Sequence, residues 1–220
     1  MDRSVINFLI ALKTNNNREW FQKNKAWYEA VRKEVETLVD QQLIPGLAVL
    51  DPKLKLLTAK QCMFRIYRDV RFSTNKDPYK TYFGAYIGTE GRKSSTGYYL
   101  HIEPDHSFVG GGSHSPETPI LKAIRSEIYF QSDNFKQIIQ QDEFLTAFGE
   151  LQGEKLKRPP KGFPSDFHDI ELLKLKEFTV MHSLENAEIL QAGFDKKVMT
   201  IFQQMKAFNS FLSKAIENIE

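Results

Sequence analysis

The chain has 220 residues, of which 41% are hydrophobic and 26% are charged. This composition is ordinary for a globular protein, and it excludes an intrinsically disordered chain. The formal net charge of +2 excludes a general polycation, and the single cysteine excludes both an intramolecular disulfide and a thiolate metal cluster.

The N-terminal part of the sequence has helical periodicity. A short helix is predicted over residues 4–13, and Asn17 is a suitable N-cap for a longer helix that Pro45-Gly46 would end. The first residues lack the features of a signal peptide, and no apolar run approaches the ~18 residues of a membrane-spanning helix. We therefore expect a cytoplasmic protein that does not associate with membranes.

The middle of the sequence has the alternating pattern of β-strands, separated by turn residues. A polar loop over residues 88–97 and a turn at Pro104-Asp105 are predicted to form hairpins. Sequential strands with such short connections favour an antiparallel sheet. The predicted strands are residues 61–69, 82–88, 97–103 and 107–111.

Helical patterns return after the predicted strands. Ser115 is a candidate N-cap, with Pro116 at the first helical position. We find no linker that separates two domains, so the sequence predicts a single α+β domain over residues 1–220, with a central antiparallel sheet and helices from both chain ends packed against it. The predicted elements are helices at 115–130, 132–140, 142–151, 168–176 and 194–219, and a strand at 177–183.

Residues 64–88 collect the positive charge of the chain. The segment from Lys60 to Leu100 holds eight cations and three anions, a net +5, so the remainder carries −3. Cations among aromatic side chains are costly to bury unless they are paired or bound to a ligand. The segment therefore predicts a site for an anion. The candidate ligand-binding residues in it are Arg65, Arg68, Asp69, Arg71, Lys76 and Lys80.

The geometry of a strand limits which of these side chains can meet. Alternation would put Arg65 and Arg68 on opposite faces, so an irregularity after Asp69 is needed to bring Arg71 close. We expect Arg68, Arg71 and Lys80 to flank one cleft. Asp69 would orient one of the arginines through a bidentate pair and leave the other free for a ligand.

A glycine run offers a second candidate for ligand binding. Gly110 to Gly112 precede a predicted helix N-terminus, where backbone N–H groups could receive an anion, so Gly111 and Gly112 are candidate ligand-binding residues. His101 and Tyr79 are the candidates for proton transfer. Although Glu103 shares a strand face with His101, no zinc-type spacing is present, and we expect no metal site.

Three segments of the sequence resemble one protein family. They are NNNREWFQKNKAWYEAVR, FRIYRDVRFSTNKDPYKTYFGAYI and YYLHIEPDHSFVGGGSHSPETPILKAIRSEI, and the family is catalogued as domain of unknown function 2461. The most specific marks are Arg68-Asp69, Arg71-Phe72 and Pro78-Tyr79-Lys80. The resemblance runs from about Phe8 to beyond Phe178 and implies one domain, but it carries with it no reaction, cofactor or catalytic residue.

Three functions remain open on the sequence alone. The favoured one is a basic, aromatic-lined cleft for a small phosphate- or carboxylate-bearing ligand, with or without catalysis on an ester of that ligand. The second is a nucleic-acid-binding module, in which tyrosines beside the cations stack on bases. The third is an interaction protein with no ligand, whose basic segment meets an acidic partner.

Overall fold

The computed structural model describes residues 1–217 and has the predicted α+β architecture. Four strands form one antiparallel sheet in the order β1-β2-β3-β4, and helices pack against it. The first three strands follow one another along the chain through the two predicted hairpin connections. The strands are β1 (Phe83–Ile87), β2 (Gly97–Ile102), β3 (Ser107–Ser113) and β4 (Phe178–Leu184).

Helices precede, interrupt and follow the strands along the chain. Those before the sheet are α1 (Arg3–Thr14), α2 (Arg18–Lys23), α3 (Lys25–Leu38), α4 (Ile44–Leu50) and α5 (Ala59–Cys62). Those between β3 and β4 are α6 (Thr118–Phe130), α7 (Ser132–Ile139), α8 (Asp142–Phe148) and α9 (Ile170–Leu173). Those after β4 are α10 (Asn186–Ile189), α11 (Phe194–Gln204) and α12 (Lys206–Glu217). In residues 1–217, no helix is long and apolar enough to cross a membrane.

The N-terminal helices differ from the single long helix that was predicted. The Asn17 side chain accepts a hydrogen bond from the Trp20 amide at 2.9 Å, so it is the N-cap of α2 as expected. The helix is interrupted at Asn24, whose side chain donates to the Trp20 carbonyl at 2.9 Å. Pro45 does not end the helical run, because it lies in the first turn of α4, where no N–H group is required.

The predicted strand over residues 61–69 was wrong. Gln61 belongs to α5, and its side chain accepts a hydrogen bond from the Thr58 amide at 2.9 Å, as part of a capping box. From Met63 onward the segment makes only two isolated antiparallel bridges, Met63 with Ala85 and Tyr67 with Tyr79. The capping box at the start of this segment and the loop after Tyr67 therefore prevent residues 61–69 from forming a continuous strand.

Two further helix boundaries were wrong. Ser115 has φ 46°, in the left-handed region, so it cannot serve as the N-cap. The helix starts instead at Thr118, with Glu117 at the N-cap and Pro119 in the first turn. The predicted C-terminal helix is divided at Met205 into α11 and α12, and its last two residues lie outside the described ones.

The chain divides into two compact units, each built from several stretches of sequence. In the first, the Phe21 ring stacks on Tyr79 with centroids 4.0 Å apart. In the second, the rings of Phe135 and Phe211 lie 4.9 Å apart. Aromatic side chains thus pack in the cores of both units. The single domain over residues 1–220 stays a prediction. The first unit comprises residues 1–93, 99–109 and 183–200; the second comprises residues 94–98 and 110–182 and the described chain from 201.

Candidate functional site

The first unit contains an open cleft of about 510 Å³. Most of its lining comes from residues 64–82, which we call the cleft segment. This volume lies in the range of pockets that take small molecules. The lining residues are Asn16, Arg68, Asp69, Asn75, Asp77, Tyr79, Lys80, Thr81, Tyr82 and Glu103.

The cleft segment is held in place although it has little regular secondary structure. Asn16 pairs with the backbone of Tyr79: its Oδ1 accepts from the Tyr79 amide at 3.1 Å, and its Nδ2 donates to the Tyr79 carbonyl at 2.9 Å. The two arms of the segment are joined by the Arg68 amide, which donates to the Pro78 carbonyl at 2.9 Å. The buried Tyr79 ring on Phe21 completes the attachment.

Arg71 and Arg68 differ in their pairing, since only Arg71 has a carboxylate partner among the described residues. The Arg71 guanidinium binds Asp69 in a bidentate pair, with Nε–Oδ1 at 3.0 Å and Nη2–Oδ2 at 2.6 Å, which lowers the pKa of the Asp69 carboxyl. The Arg68 guanidinium makes only long hydrogen bonds, to the Asp77 carbonyl at 3.3 Å and to the Ser73 hydroxyl at 3.4 Å. Asp69 thus holds Arg71 and leaves Arg68 without a carboxylate partner within residues 1–217.

Lys80 is the second cation of the cleft without a carboxylate partner. Its Nζ lies 5.1 Å from the centre of the Phe64 ring and 5.7 Å from that of Tyr82. It makes no ion pair with any residue of the described chain. Burial, and secondarily the charge of Arg65, lowers the pKa of Lys80. An ammonium in this position is stabilised by ring faces and is partly desolvated.

Three of the predicted basic residues lie outside the cleft lining. Arg65 and Lys76 are exposed, and the Lys76 ammonium donates to the Val70 carbonyl at 3.0 Å. The Arg71 side chain is 76% exposed and reaches the cleft only through its partner, Asp69. The structure therefore brings Arg68 and Lys80 to the cleft directly.

The predicted glycines lie in the second unit, buried in β3. A Cβ at Gly111 would be 2.5 Å from the Met205 sulfur. Gly112 has φ 106°, and a Cβ there would be 2.0 Å from the Phe178 carbonyl oxygen. Close packing and backbone conformation thus explain why both positions are glycine. Five residues separate Gly112 from the start of α6, so the glycines do not adjoin the helix N-terminus as was predicted.

A chain of hydrogen bonds runs along one face of β2 and ends at the cleft. The Tyr99 hydroxyl lies 3.0 Å from His101 Nδ1, and His101 Nε2 lies 3.1 Å from Glu103 Oε2. Thr81 donates its hydroxyl to Glu103 Oε1 at 2.9 Å. Burial lowers the pKa of His101, and Glu103 opposes that effect. The carboxylate lines the cleft, and the imidazole lies behind it.

The rings around His101 restrict its access to the cleft. It stacks on Phe108 with centroids 4.7 Å apart, and the Tyr82 ring lies 4.3 Å away on a tilted plane. The other predicted catalytic candidate, Tyr79, is buried against Phe21, and burial raises the pKa of its hydroxyl. Of the titratable groups on this wall, the geometry favours Glu103 for contact with a ligand.

The whole cleft falls within a region shared by related proteins. The sequence profile of the family described as "Conserved hypothetical protein (DUF2461)" matches residues 4–211. The chain belongs to this family. The DUF2461 region extends from α1 into α12 and includes every residue that lines the cleft. Neither a comparison with curated proteins nor one with solved structures finds a significant match.

Sequence reasoning did not identify several residues of this DUF2461 cleft. Asp77, Thr81 and Tyr82 follow the basic residues closely, but their direction depends on the irregular path of the cleft segment. Asn16 was not predicted, because its partner Tyr79 is 63 positions away. Glu103 was identifiable in principle, since strand alternation places it on the same face as His101.

One group of possible metal ligands occurs in the described part of the DUF2461 chain. The ligand atoms of Asp133, His168 and Asp169 lie within 4.8 Å of one another in the second unit. The Lys136 ammonium lies 3.2 Å from Asp133 Oδ1 and 2.8 Å from Asp169 Oδ2. The two carboxylates therefore already share a cation partner, and this group forms an ion-pair network.

Proposed function

We propose that this protein binds a small molecule carrying a phosphate or carboxylate group in the cleft. The observation that carries the proposal is Lys80, a partly desolvated ammonium on the cleft lining without a carboxylate partner in residues 1–217. A buried charge is unfavourable unless a counter-charge is supplied. A ligand anion is the natural counter-charge for Lys80, and Arg68 on the same lining adds a second cation.

The carboxylates of the cleft do not cancel this attraction. Asp69 is neutralised by Arg71, and Glu103, which accepts hydrogen bonds from Thr81 and His101, makes no ion pair with Arg68 or Lys80 in the described chain. Asp77 is exposed, so solvent screens its charge. The guanidinium of Arg68 can donate two parallel hydrogen bonds to a carboxylate or phosphate, and Lys80 supplies a point charge.

A ligand-dependent thermal melt tests the proposal. Inorganic phosphate, pyrophosphate and citrate should raise the melting temperature of the wild type in a concentration-dependent manner. Lys80→Met and Arg68→Met should each abolish most of that shift. Lys76→Met removes a lysine of the same segment that lies outside the cleft lining, so it should preserve the shift. An equal response of the Lys80 and Lys76 variants would contradict the proposal, as would no shift with any of the three anions.

A second candidate function, binding of single-stranded nucleic acid, is favoured by the outer surface of the cleft segment. Phe72 is 96% exposed, and the Arg71 guanidinium lies 5.8 Å from its ring centre. An exposed ring beside exposed cations is the combination on which bases stack while phosphates are neutralised. Titration with an oligonucleotide at increasing salt tests it, since affinity should fall steeply with salt and with Phe72→Ala.

A further inference from the structure

We infer that the ligand of the cleft is a hydroxylated anion, such as a sugar phosphate or a sugar acid. Its anionic group would lie against Lys80 and Arg68, and a neighbouring hydroxyl would donate to Glu103. This inference rests on the proposed function and adds to it a chemical class of ligand.

The first argument is that Glu103 is a fixed acceptor at the cleft. Each of its carboxylate oxygens receives one hydrogen bond, from Thr81 at 2.9 Å and from His101 at 3.1 Å. The side chain is 20% exposed and lines the cleft. A carboxylate can accept about four hydrogen bonds, so lone pairs remain available to a ligand.

The second argument is that His101, which lies behind Glu103, donates a hydrogen bond to its carboxylate, so that Glu103 acts as an acceptor. Burial favours the neutral form of His101, which carries one N–H. If that N–H were on Nδ1, the bare Nε2 would face a carboxylate oxygen at 3.1 Å, which is repulsive. The Tyr99 hydroxyl therefore donates to Nδ1, and Nε2–H donates to Glu103. The ligand group opposite Glu103 must be a donor.

The third argument concerns the surface beside Glu103. The centre of the Tyr82 ring lies 5.7 Å from the Lys80 ammonium and 4.3 Å from the centre of the His101 ring, so one ring borders both the cation and the imidazole behind the carboxylate. Tyr82 also offers an apolar ring surface, and Asn75 adds a polar group to the same lining.

Isothermal titration calorimetry with two pairs of compounds tests the inference on the wild-type protein. Glucose 6-phosphate is compared with cyclohexyl phosphate, and glucuronate with cyclohexanecarboxylate; within each pair both members have a six-membered ring and the same kind of anionic group, and only the first carries hydroxyls. We expect the hydroxylated member of at least one pair to bind roughly tenfold more tightly or better, as for a hydrogen bond to a charged group. Equal affinity within both pairs would overturn the inference and leave the proposed function intact.

Three variants test whether the preference depends on Glu103. Glu103→Gln should reduce the hydroxyl preference to near unity while cyclohexyl phosphate still binds, whereas Lys80→Met should weaken both members of a pair. Thr81→Val, which removes one donor to the carboxylate, should reduce the preference in part and serves if the Gln variant does not fold. A preference unchanged in the folded variants would contradict the role of Glu103.

Two further outcomes are informative. If glutamate binds more tightly than 2-hydroxyglutarate, the donor is an ammonium and the inference is wrong. If neither these compounds nor inorganic phosphate bind, the proposed function itself fails, and the inference fails with it.

Discussion

Asn16 and Tyr79 are joined by a pair of hydrogen bonds: the Asn16 side-chain amide donates to the Tyr79 carbonyl at 2.9 Å and accepts from the Tyr79 N–H at 3.1 Å. The pair connects the junction of α1 and α2 to the cleft segment, and the Tyr79 ring is stacked on Phe21 at the same place. The position of the neighbouring Lys80 is therefore set by a residue far from it in sequence. This relationship makes the shape of the cleft sensitive to a side chain that carries no charge.

Replacement of Asn16 by Ala should lower both stability and ligand affinity. Two part-buried hydrogen bonds are lost and two backbone groups of Tyr79 are left unpaired, so the free energy of unfolding should fall by about 1–3 kcal/mol. Anion affinity should fall as well, because the cleft segment loses an attachment. Urea denaturation and the phosphate thermal shift measure the two effects.

Asn17→Ala is the matched control. It removes the N-cap of α2 and should cost about 1 kcal/mol, yet it should leave the anion affinity unchanged. If both variants reduce affinity equally, the Asn16–Tyr79 pair has no specific role in the cleft.

The Asp69–Arg71 pair should act on anion binding indirectly. Arg71→Ala exposes the cleft to the unneutralised carboxylate of Asp69, so phosphate should bind more weakly although Arg71 does not line the cleft. The double variant Asp69→Asn with Arg71→Ala removes the repulsion and should recover most of the wild-type affinity. Calorimetry at low salt measures both, and failure of the double variant to recover would assign Arg71 a direct contact with the anion.

The buried imidazole of His101 should make stability depend on pH. Its folded-state pKa lies below the ordinary 6.5, so as the pH falls below that value the unfolded chain takes up a proton that the folded chain does not. The free energy of unfolding should therefore decrease between about pH 6.5 and pH 5. His101→Gln should make this decrease shallower. Urea denaturation at several pH values tests it, and an identical slope in the variant would refute the assignment.

The glycines of β3 should behave as packing positions. Gly112→Ala combines a left-handed φ with a clash against the Phe178 carbonyl, and it should destabilise the protein by at least about 2 kcal/mol. Gly162→Ala is the control, because Gly162 also has a positive φ, 91°, but no atom lies within 4 Å of the added Cβ. It should cost about 1 kcal/mol. Similar costs for both variants would mean that the clash is relieved by small movements.

The sequence was sufficient to predict those elements whose pattern is local. The periodicity of α1, the cap at Asn17 and the alternation in β1 to β3 each depend on neighbouring residues, and each was predicted correctly. The α+β fold class followed from the order of these elements. The strand expected over residues 61–69 failed because Gln61 completes a helical capping box, which competes with the strand pattern.

The site could be predicted only in part, for a similar reason. The density of charge pointed to the cleft segment, and the bidentate role of Asp69 followed from its position between two arginines. Which arginine it would hold, and the placement of Asn16 and Glu103 on the same cleft lining as Lys80, depend on contacts between distant parts of the chain. Burial of His101 behind Glu103 likewise depends on the packing of Tyr82 and Phe108, which no local pattern specifies.

The irregular path of the cleft segment has an evolutionary consequence. Between its attachments at Tyr67 and Tyr79, the segment forms no regular helix or strand, and most of its side chains are exposed. Residues 73–77 lie between the family marks Arg71-Phe72 and Pro78-Tyr79-Lys80, so they can be exchanged, lengthened or shortened at little cost to the aromatic core. We expect the residues that set ligand preference to differ between family members mainly in this short interval. Asn16, Tyr79 and Glu103, which lie outside it, are expected to stay the same.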